Sequence, residues 1–137
     1  MTVLGRSAKS VLIVDDDIDI RETITVVLED EGYLVVSAAN GEEALKYLRA
    51  GVTALPQLIL LDLMMPVMDG FEFRAEQQKD PALATIPVVV ITASGSAKER
   101  AKSMRVDAMI QKPIALDTLL ATIEMFTKDP PPRSATG

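Results

Sequence analysis

The strongest constraint on the fold of this chain is an alternation between two apolar patterns. Short runs of consecutive apolar residues, such as Val11–Val14, alternate with longer segments whose apolar residues recur at helical spacing. A continuous β-branched run of this kind is typical of a strand covered on both faces. Five strand–helix units in strict alternation favour a parallel sheet with helices on both faces. The predicted strands are Ser10–Val14, Leu34–Ala38, Leu58–Leu61, Val88–Ile91 and about Ala108–Gln111, and the predicted helices are Ile18 to about Glu31, Asn40 to Gly51, about Phe71–Lys79, about Ala97–Met104 and about Leu116–Thr127.

Length and composition indicate one folded domain with short extensions. A chain of 137 residues, 48% of them apolar, is long enough to bury a substantial core. We expect a domain over residues 8–127 and an N-terminal extension over residues 1–7. Residues 128–137 should form a flexible tail, since Pro130–Pro132 disfavours regular structure there.

Composition also excludes several classes of function. The chain has no cysteine and no histidine, which rules out disulfides, thiolate chemistry and imidazole bases or ligands. A net charge of -6 opposes nonspecific nucleic-acid binding. No run approaches the roughly 20 apolar residues of a membrane span, and no signal-peptide core begins the chain. These features predict a cytoplasmic protein whose carboxylates, hydroxyls and amines suit hard cations such as Mg²⁺.

Four of the predicted strands end in polar residues suited to phosphate chemistry. The first strand leads into Asp15, Asp16 and Asp17, the third into Asp62, the fourth into Thr92 and the fifth into Lys112. The carboxyl ends of parallel strands share one edge of a sheet, where ligands bind. Clustered carboxylates there would repel one another unless a cation such as Mg²⁺ neutralised them. A single carboxylate can also attack phosphorus, and Asp62 is the better candidate because it stands alone at its strand end.

Each of these residues also has a purely structural interpretation. Asp17 is better interpreted as a helix cap than as a metal ligand. Taken singly, Thr92 would be structural and Lys112 a solvated charge. The run of methionines at Met64, Met65 and Met68 is more typical of loop packing than of a cofactor site. The order and placement of the four strand ends together favour the functional interpretation.

With these residues at its strand ends, the chain resembles the receiver domain of two-component response regulators. The resemblance covers about Ser10 to Phe126 and rests on four segments, which are Val11–Asp17, Leu61–Gly70, Val90–Ala93 and Gln111–Pro113. It implies a flavodoxin-like three-layer α/β sandwich with a five-stranded parallel sheet of order 2-1-3-4-5. It also implies a cis peptide bond between Lys112 and Pro113.

The resemblance implies a role for each site residue. Asp62 would be the phosphoacceptor, taking a phosphoryl group from a phosphohistidine on a histidine kinase or a phosphotransfer protein. Asp16 would be the main direct Mg²⁺ ligand and Asp15 an assisting one, with Asp62 and the backbone carbonyl of Met64 completing the protein ligands. Thr92 would bond a phosphoryl oxygen and Lys112 would pair with it.

The chain departs from the family pattern in the part that reports phosphorylation. Met109 stands at the position of the switch aromatic, three residues before the lysine, and Ile114 replaces an aromatic after Lys112 and Pro113. The segment between Thr92 and Lys112 is about two residues shorter than is usual. The resemblance therefore implies intact phosphorylation chemistry with an atypical output.

We therefore expect a stand-alone receiver that switches the binding of a downstream effector protein through its own phosphorylation and dephosphorylation, and that is not otherwise an enzyme. Two alternatives stay open. One is a Mg²⁺-dependent phosphohydrolase with an aspartyl-phosphate intermediate, using Asp15 and Asp17. The other is a degenerate receiver that serves only as a binding module. A homodimer formed through the last two strand–helix units is a further open question.

Overall fold

The fold is described from a computed structural model, which describes residues 9–50, 55–93 and 99–127. The predicted extension at residues 1–7, the predicted tail at residues 128–137 and the predicted helix stop at Gly51 lie outside these ranges. The predicted helix at about Ala97–Met104 lies partly outside them, and Glu99 to Ala101 are helical.

The sheet has five parallel strands. Hydrogen-bonded neighbours run in the order β2-β1-β3-β4-β5, which confirms the predicted topology. The strands are β1 (Ser10–Val14), β2 (Leu34–Ala38), β3 (Leu58–Asp62), β4 (Val88–Thr92) and β5 (Ala108–Gln111). Both β3 and β4 continue one residue further than predicted, so Asp62 and Thr92 are the last paired residues of their strands.

Four helices are described in full. They are α1 (Ile18–Asp30), α2 (Gly41–Leu48), α3 (Gly70–Lys79) and α4 (Leu116–Thr127). Asp17 caps α1 by accepting from the Asp19 and Ile20 N–H groups, as predicted. After α1 the chain turns at Gly32, whose φ of 93° is readily adopted only by glycine. Among the described residues, no helix is long and apolar enough to cross a membrane.

The core lies in two layers on opposite faces of the sheet. One layer packs α2 and α3 against alternate strand residues, and the other packs α1 and α4 against the remainder. All residues of β3 and β4 are buried, as expected for central strands. In contrast, β2 forms an edge, and its Leu34 side chain is 60% exposed despite the apolar composition of the strand.

A buried polar network connects α3 to two loops. The Arg74 side chain donates through Nε and Nη2 to the carbonyl of Arg105 and through Nη1 to Gln77 Oε1 at 2.7 Å. Gln77 Nε2 donates to the carbonyls of Leu83 and Ile86 at 2.9 and 3.1 Å. Both side chains are buried, and these bonds compensate for the loss of hydration.

Three backbone hydrogen bonds fix the loop between β3 and α3. At its base the Gly70 N–H donates to the Leu63 carbonyl at 3.0 Å, and the Gly41 N–H of α2 donates to the Met68 carbonyl at 3.0 Å. A further bond, from the Met68 N–H to the Pro66 carbonyl at 2.8 Å, closes a three-residue turn around Val67. The φ of Val67 is 69°, the one positive φ of a non-glycine residue among those described.

Candidate functional site

The parallel sheet brings the predicted site residues to one edge. Asp62 and Thr92 close β3 and β4, Asp15 follows the last residue of β1, and Lys112 follows the last residue of β5. The strand register pairs Val14 with Leu61, so Asp15 and Asp62 emerge side by side. The topology therefore places residues that are up to 97 positions apart in sequence around one site.

Three carboxylates form a compact acidic cluster. One oxygen each from Asp15, Asp16 and Asp62 lies within 4.8 Å of the others. Asp15 and Asp62 are only 2% and 5% exposed, whereas Asp16 is exposed. The cluster thus has two buried carboxylates at its base and one that reaches solvent.

Lys112 lies between the two buried carboxylates. Its Nζ is 3.7 Å from Asp15 Oδ2 and 3.8 Å from Asp62 Oδ1. These separations give charge pairing without a close hydrogen bond. The Lys112–Pro113 peptide bond is cis, as the resemblance implied.

Burial and mutual repulsion disfavour the charged forms of the two buried acids. Desolvation, followed by the Asp15 charge, raises the pKa of Asp62 to about 6, while Lys112 and the Met64 N–H act in the opposite direction. Desolvation also raises the pKa of Asp15, which Lys112 and an N–H bond from Asp17 partly offset. A site with this electrostatic balance favours the binding of a cation.

The donor set suits Mg²⁺. Asp15 Oδ2 is buried and accepts no hydrogen bond, so a ligand oxygen is already desolvated within the cluster. Carboxylate oxygens are the donors that Mg²⁺ prefers, and the exposed Asp16 leaves room for retained waters. Met64 donates its N–H to Asp62 Oδ1 at 3.4 Å. The role of its carbonyl as a ligand stays a prediction.

Thr92 is 1% exposed at the end of β4. Its backbone carbonyl accepts a hydrogen bond from the Lys112 N–H at 2.8 Å, which links the two residues through the main chain. The proposed contact of its hydroxyl with a phosphoryl group stays a prediction.

The methionine run divides into packing and exposed residues. Met65 is buried and Met68 packs against the core, as the loop-packing interpretation predicts. Met64 is 56% exposed, which that interpretation does not predict. Met109, at the position of the switch aromatic, is half-buried and packs against the core layer of α2 and α3.

One positioning residue escaped prediction from the sequence. Arg21 Nη1 donates to the backbone carbonyl of Asp15 at 2.6 Å, which fixes the chain directly after β1. The arginine lies six residues after Asp15, in the first turn of α1, and this spacing alone does not distinguish it from a solvated charge. A capping box between Asp69 and Glu72 was recognisable from its spacing but was not predicted.

Comparisons with known proteins agree with this geometry. The family described as the response regulator receiver domain matches residues 11–124. The response regulator Rre1 of Synechocystis is 38% identical over 117 residues, covering 83% of this chain and 49% of the relative. The chain therefore spans about half the length of that relative.

Solved structures show the same architecture. The chemotaxis protein CheY4 of Vibrio cholerae has a TM-score of 0.77 and 34% identity, covering 88% of this chain and 99% of that one. The response regulator TrrA of Thermotoga maritima, solved with Mg²⁺ and BeF, has a TM-score of 0.75 and 31% identity, covering 86% and 98%. The sequence match over residues 11–124 and the shared fold together show that this chain belongs to the receiver domains of two-component response regulators, the phosphorelay signalling family.

Proposed function

We propose that Asp62 accepts a phosphoryl group from a phosphohistidine on a histidine kinase or phosphotransfer protein, and that residues 8–127 are the unit that does so. The observation that carries this proposal is the placement of Asp62 within a cluster that also contains two further carboxylates and an ammonium. A lone buried aspartate would be held protonated by desolvation, whereas this one lies 3.8 Å from Lys112.

Transfer would begin with attack by a carboxylate oxygen of Asp62 on the phosphorus atom. The new O–P bond forms as the P–N bond to the donor imidazole breaks, and the imidazole nitrogen retains the electron pair and takes up a proton. Asp15, Asp16 and Asp62 would hold Mg²⁺, and the Met64 carbonyl would complete the protein ligands. When bound, the ion supplies positive charge that stabilises the transferring phosphoryl oxygens.

Lys112 and Thr92 would then recognise the product. The Lys112 ammonium, which pairs with Asp15 and Asp62 in this structure, would pair with a phosphoryl oxygen. The Thr92 hydroxyl would donate to another. The Thr92 carbonyl accepts from the Lys112 N–H at 2.8 Å, so the two residues that would contact the phosphoryl group are also linked through the main chain.

Phosphorylation would switch the binding of a downstream effector protein in the cytoplasm. The side chain of Met109 has no hydroxyl and no ring, so the output should differ from one that uses a switch aromatic. The curated relatives include transcriptional regulators in which the match covers about half of the length, such as PhoB of Pseudomonas aeruginosa. In this chain the proposed activity is its own phosphorylation and dephosphorylation, without turnover of a small substrate.

The direct test is labelling with a small phosphodonor. The wild type with acetyl phosphate and Mg²⁺ should gain the mass of one phosphoryl group, and Asp62→Asn should gain none. Asp17→Asn is the matched control, because asparagine caps a helix as well as aspartate does. It should be labelled like the wild type.

Other outcomes would decide against the proposal. Failure to label the wild type would favour a module that only binds. Rapid turnover of small phosphate esters, lost in Asp15→Asn but retained in Asp62→Asn, would favour a phosphohydrolase. Equal labelling of the wild type and Asp62→Asn would place the acceptor elsewhere.

A further inference from the structure

Val67 occupies a backbone conformation that its side chain disfavours. Its φ of 69° lies in the left-handed region, which is sterically costly for a β-branched residue. The Met68 N–H bond to the Pro66 carbonyl gives the turn the hydrogen-bond pattern of a γ-turn, a class that is strained when its central φ is positive. Glycine or asparagine would adopt this conformation at lower cost.

The surrounding structure imposes this conformation on Val67. Pro66 has a restricted φ of its own, and the Met68 carbonyl is held by the Gly41 N–H. Gly70 lies tightly against β3, since an added Cβ there would be 2.6 Å from the Asp62 carbonyl oxygen, and the Gly70 N–H donates to the Leu63 carbonyl at 3.0 Å. Strain of this kind persists where neighbouring contacts determine the backbone.

The Val67 side chain does not pack in the core of the protein. Val67 is 73% exposed and belongs to neither core layer. Among the described residues, packing of the Val67 side chain therefore does not compensate for the strain in its backbone. A residue that local conformation disfavours and the core does not use points to a function outside the fold.

The position of Val67 indicates what it contacts. Eight large apolar side chains are exposed among the described residues, and four of them follow strands that end at the site edge: Ile18, Met64, Val67 and Leu116. Asp62 is only 5% exposed, so a phosphohistidine on a folded donor must bring the surrounding donor surface against this edge. A small phosphodonor needs no such contact.

We propose that Val67 is a specificity-determining contact for the protein that carries the phosphohistidine, an inference that rests on the proposed phosphoacceptor role of Asp62. Its apolar side chain would be buried against an apolar patch beside the donor histidine. Val67 contributes to recognition of the donor protein and not to the chemistry at Asp62.

The test compares protein and small-molecule donors on two variants and one control. The variants are Val67→Asn and Val67→Gly, which relieve the strain and remove the apolar group. The control is Met125→Asn, since Met125 is also 73% exposed but lies near the end of α4, away from the site edge. The donors are acetyl phosphate with Mg²⁺ and the autophosphorylated histidine kinase of the host that phosphorylates the wild type fastest.

Val67→Asn should unfold at a higher temperature than the wild type, by about 3 °C, because the strained turn is relieved. In Val67→Gly the greater conformational freedom that glycine loses on folding should offset part of this gain. Labelling of both variants by acetyl phosphate should stay within twofold of the wild type. Transfer from the kinase at subsaturating concentration should slow about tenfold, while Met125→Asn keeps the wild-type rate. This pattern would support the proposal.

Three results would overturn the inference while leaving the phosphoacceptor role intact. They are transfer from the kinase to both variants at the wild-type rate, equal slowing with both donors, and labelling of the wild type by acetyl phosphate but by no host kinase or phosphotransfer protein. Failure of acetyl phosphate to label the wild type would instead contradict the proposed function itself.

Discussion

The Lys112 Nζ lies 3.8 Å from Asp62 Oδ1 while also pairing with a second buried carboxylate, that of Asp15, at 3.7 Å. One ammonium thus offsets two buried negative charges. Lys112→Met should therefore lower the free energy of unfolding at pH 7.5 without Mg²⁺, by about 1–3 kcal/mol. Urea denaturation in EDTA measures this change.

The control for this variant is Lys102→Met. Lys102 pairs with Glu99 at 2.7 Å, but both side chains are more than 60% exposed, and exposed pairs contribute about 0–1 kcal/mol. The decrease in the free energy of unfolding caused by Lys112→Met should also become smaller toward pH 4.5, where Asp62 is protonated. An equal loss in the two lysine variants would show that Lys112 does not stabilise the buried acids.

A second prediction concerns the pH dependence of stability without Mg²⁺. The folded state raises the pKa of Asp62 to about 6 and therefore binds its proton more tightly than the unfolded chain does. The stability associated with this proton is complete below the unfolded pKa and is lost as pH rises through about 6. Asp62→Asn cannot ionise, so in EDTA at pH 7.5 it should be more stable than the wild type by up to about 3 kcal/mol.

At pH 4.5 the free energies of unfolding of Asp62→Asn and the wild type should differ little. Added Mg²⁺ at pH 7.5 should stabilise the wild type more than the variant. Urea denaturation of both proteins across this range is the measurement, and a difference that does not change with pH would contradict a raised pKa at Asp62.

A third prediction separates metal binding from helix capping at two adjacent residues. Asp16→Ala removes a carboxylate of the acidic cluster, so the dissociation constant for Mg²⁺ should rise at least about tenfold, with little change in metal-free stability. Asp17→Ala removes the cap of α1, so it should cost about 1 kcal/mol of stability and leave Mg²⁺ affinity within about twofold. Titration with Mg²⁺, followed by thermal unfolding, measures both effects.

A fourth prediction concerns the close approach of α3 to β3. An added Cβ at Gly70 would lie 2.6 Å from the Asp62 carbonyl oxygen and 2.8 Å from Leu63 Cα, and neither backbone atom can yield easily. Gly70→Ala should lower stability by about 2–3 kcal/mol and slow labelling by acetyl phosphate.

Gly32→Ala is the comparison for this variant. The added Cβ at Gly32 meets nothing within 4 Å, so its cost comes from the φ of 93° alone. Gly32→Ala should lower stability by about 1 kcal/mol, and acetyl phosphate should label it at the wild-type rate. Slowed labelling in Gly32→Ala would show that general destabilisation, and not displacement of Asp62, explains the effect at Gly70.

The sequence was sufficient to predict the sheet and the meeting of the site residues. Strand–helix alternation favours a parallel sheet, and a parallel sheet brings every strand end to one edge. The strand order implied by the family resemblance then places the ends of β3 and β5, and with them Asp62 and Lys112, near one another. The interpretation of Asp17 as a helix cap also succeeded, because capping depends on local geometry.

Features that depend on tertiary context were not predictable. The bond from Arg21 to the Asp15 carbonyl requires the entry angle of α1, which no sequence spacing specifies. The exposure of Leu34 follows from the edge position of β2, although the composition of this strand resembles that of a buried one. The positive φ of Val67 is one that valine disfavours, so it could not be predicted from the residue type and depends on the hydrogen bonds that hold the loop.

The network of Arg74 and Gln77 has a consequence for how this domain can vary. One turn of α3 supplies the hydrogen-bond donors for the Leu83 and Ile86 carbonyls before β4 and for the Arg105 carbonyl before β5. Lengthening either connection near these residues would leave a buried guanidinium or amide without its acceptor. Insertions beside Leu83, Ile86 or Arg105 should therefore be poorly tolerated, so one turn of α3 sets the length of two separate connections at the points where it holds them.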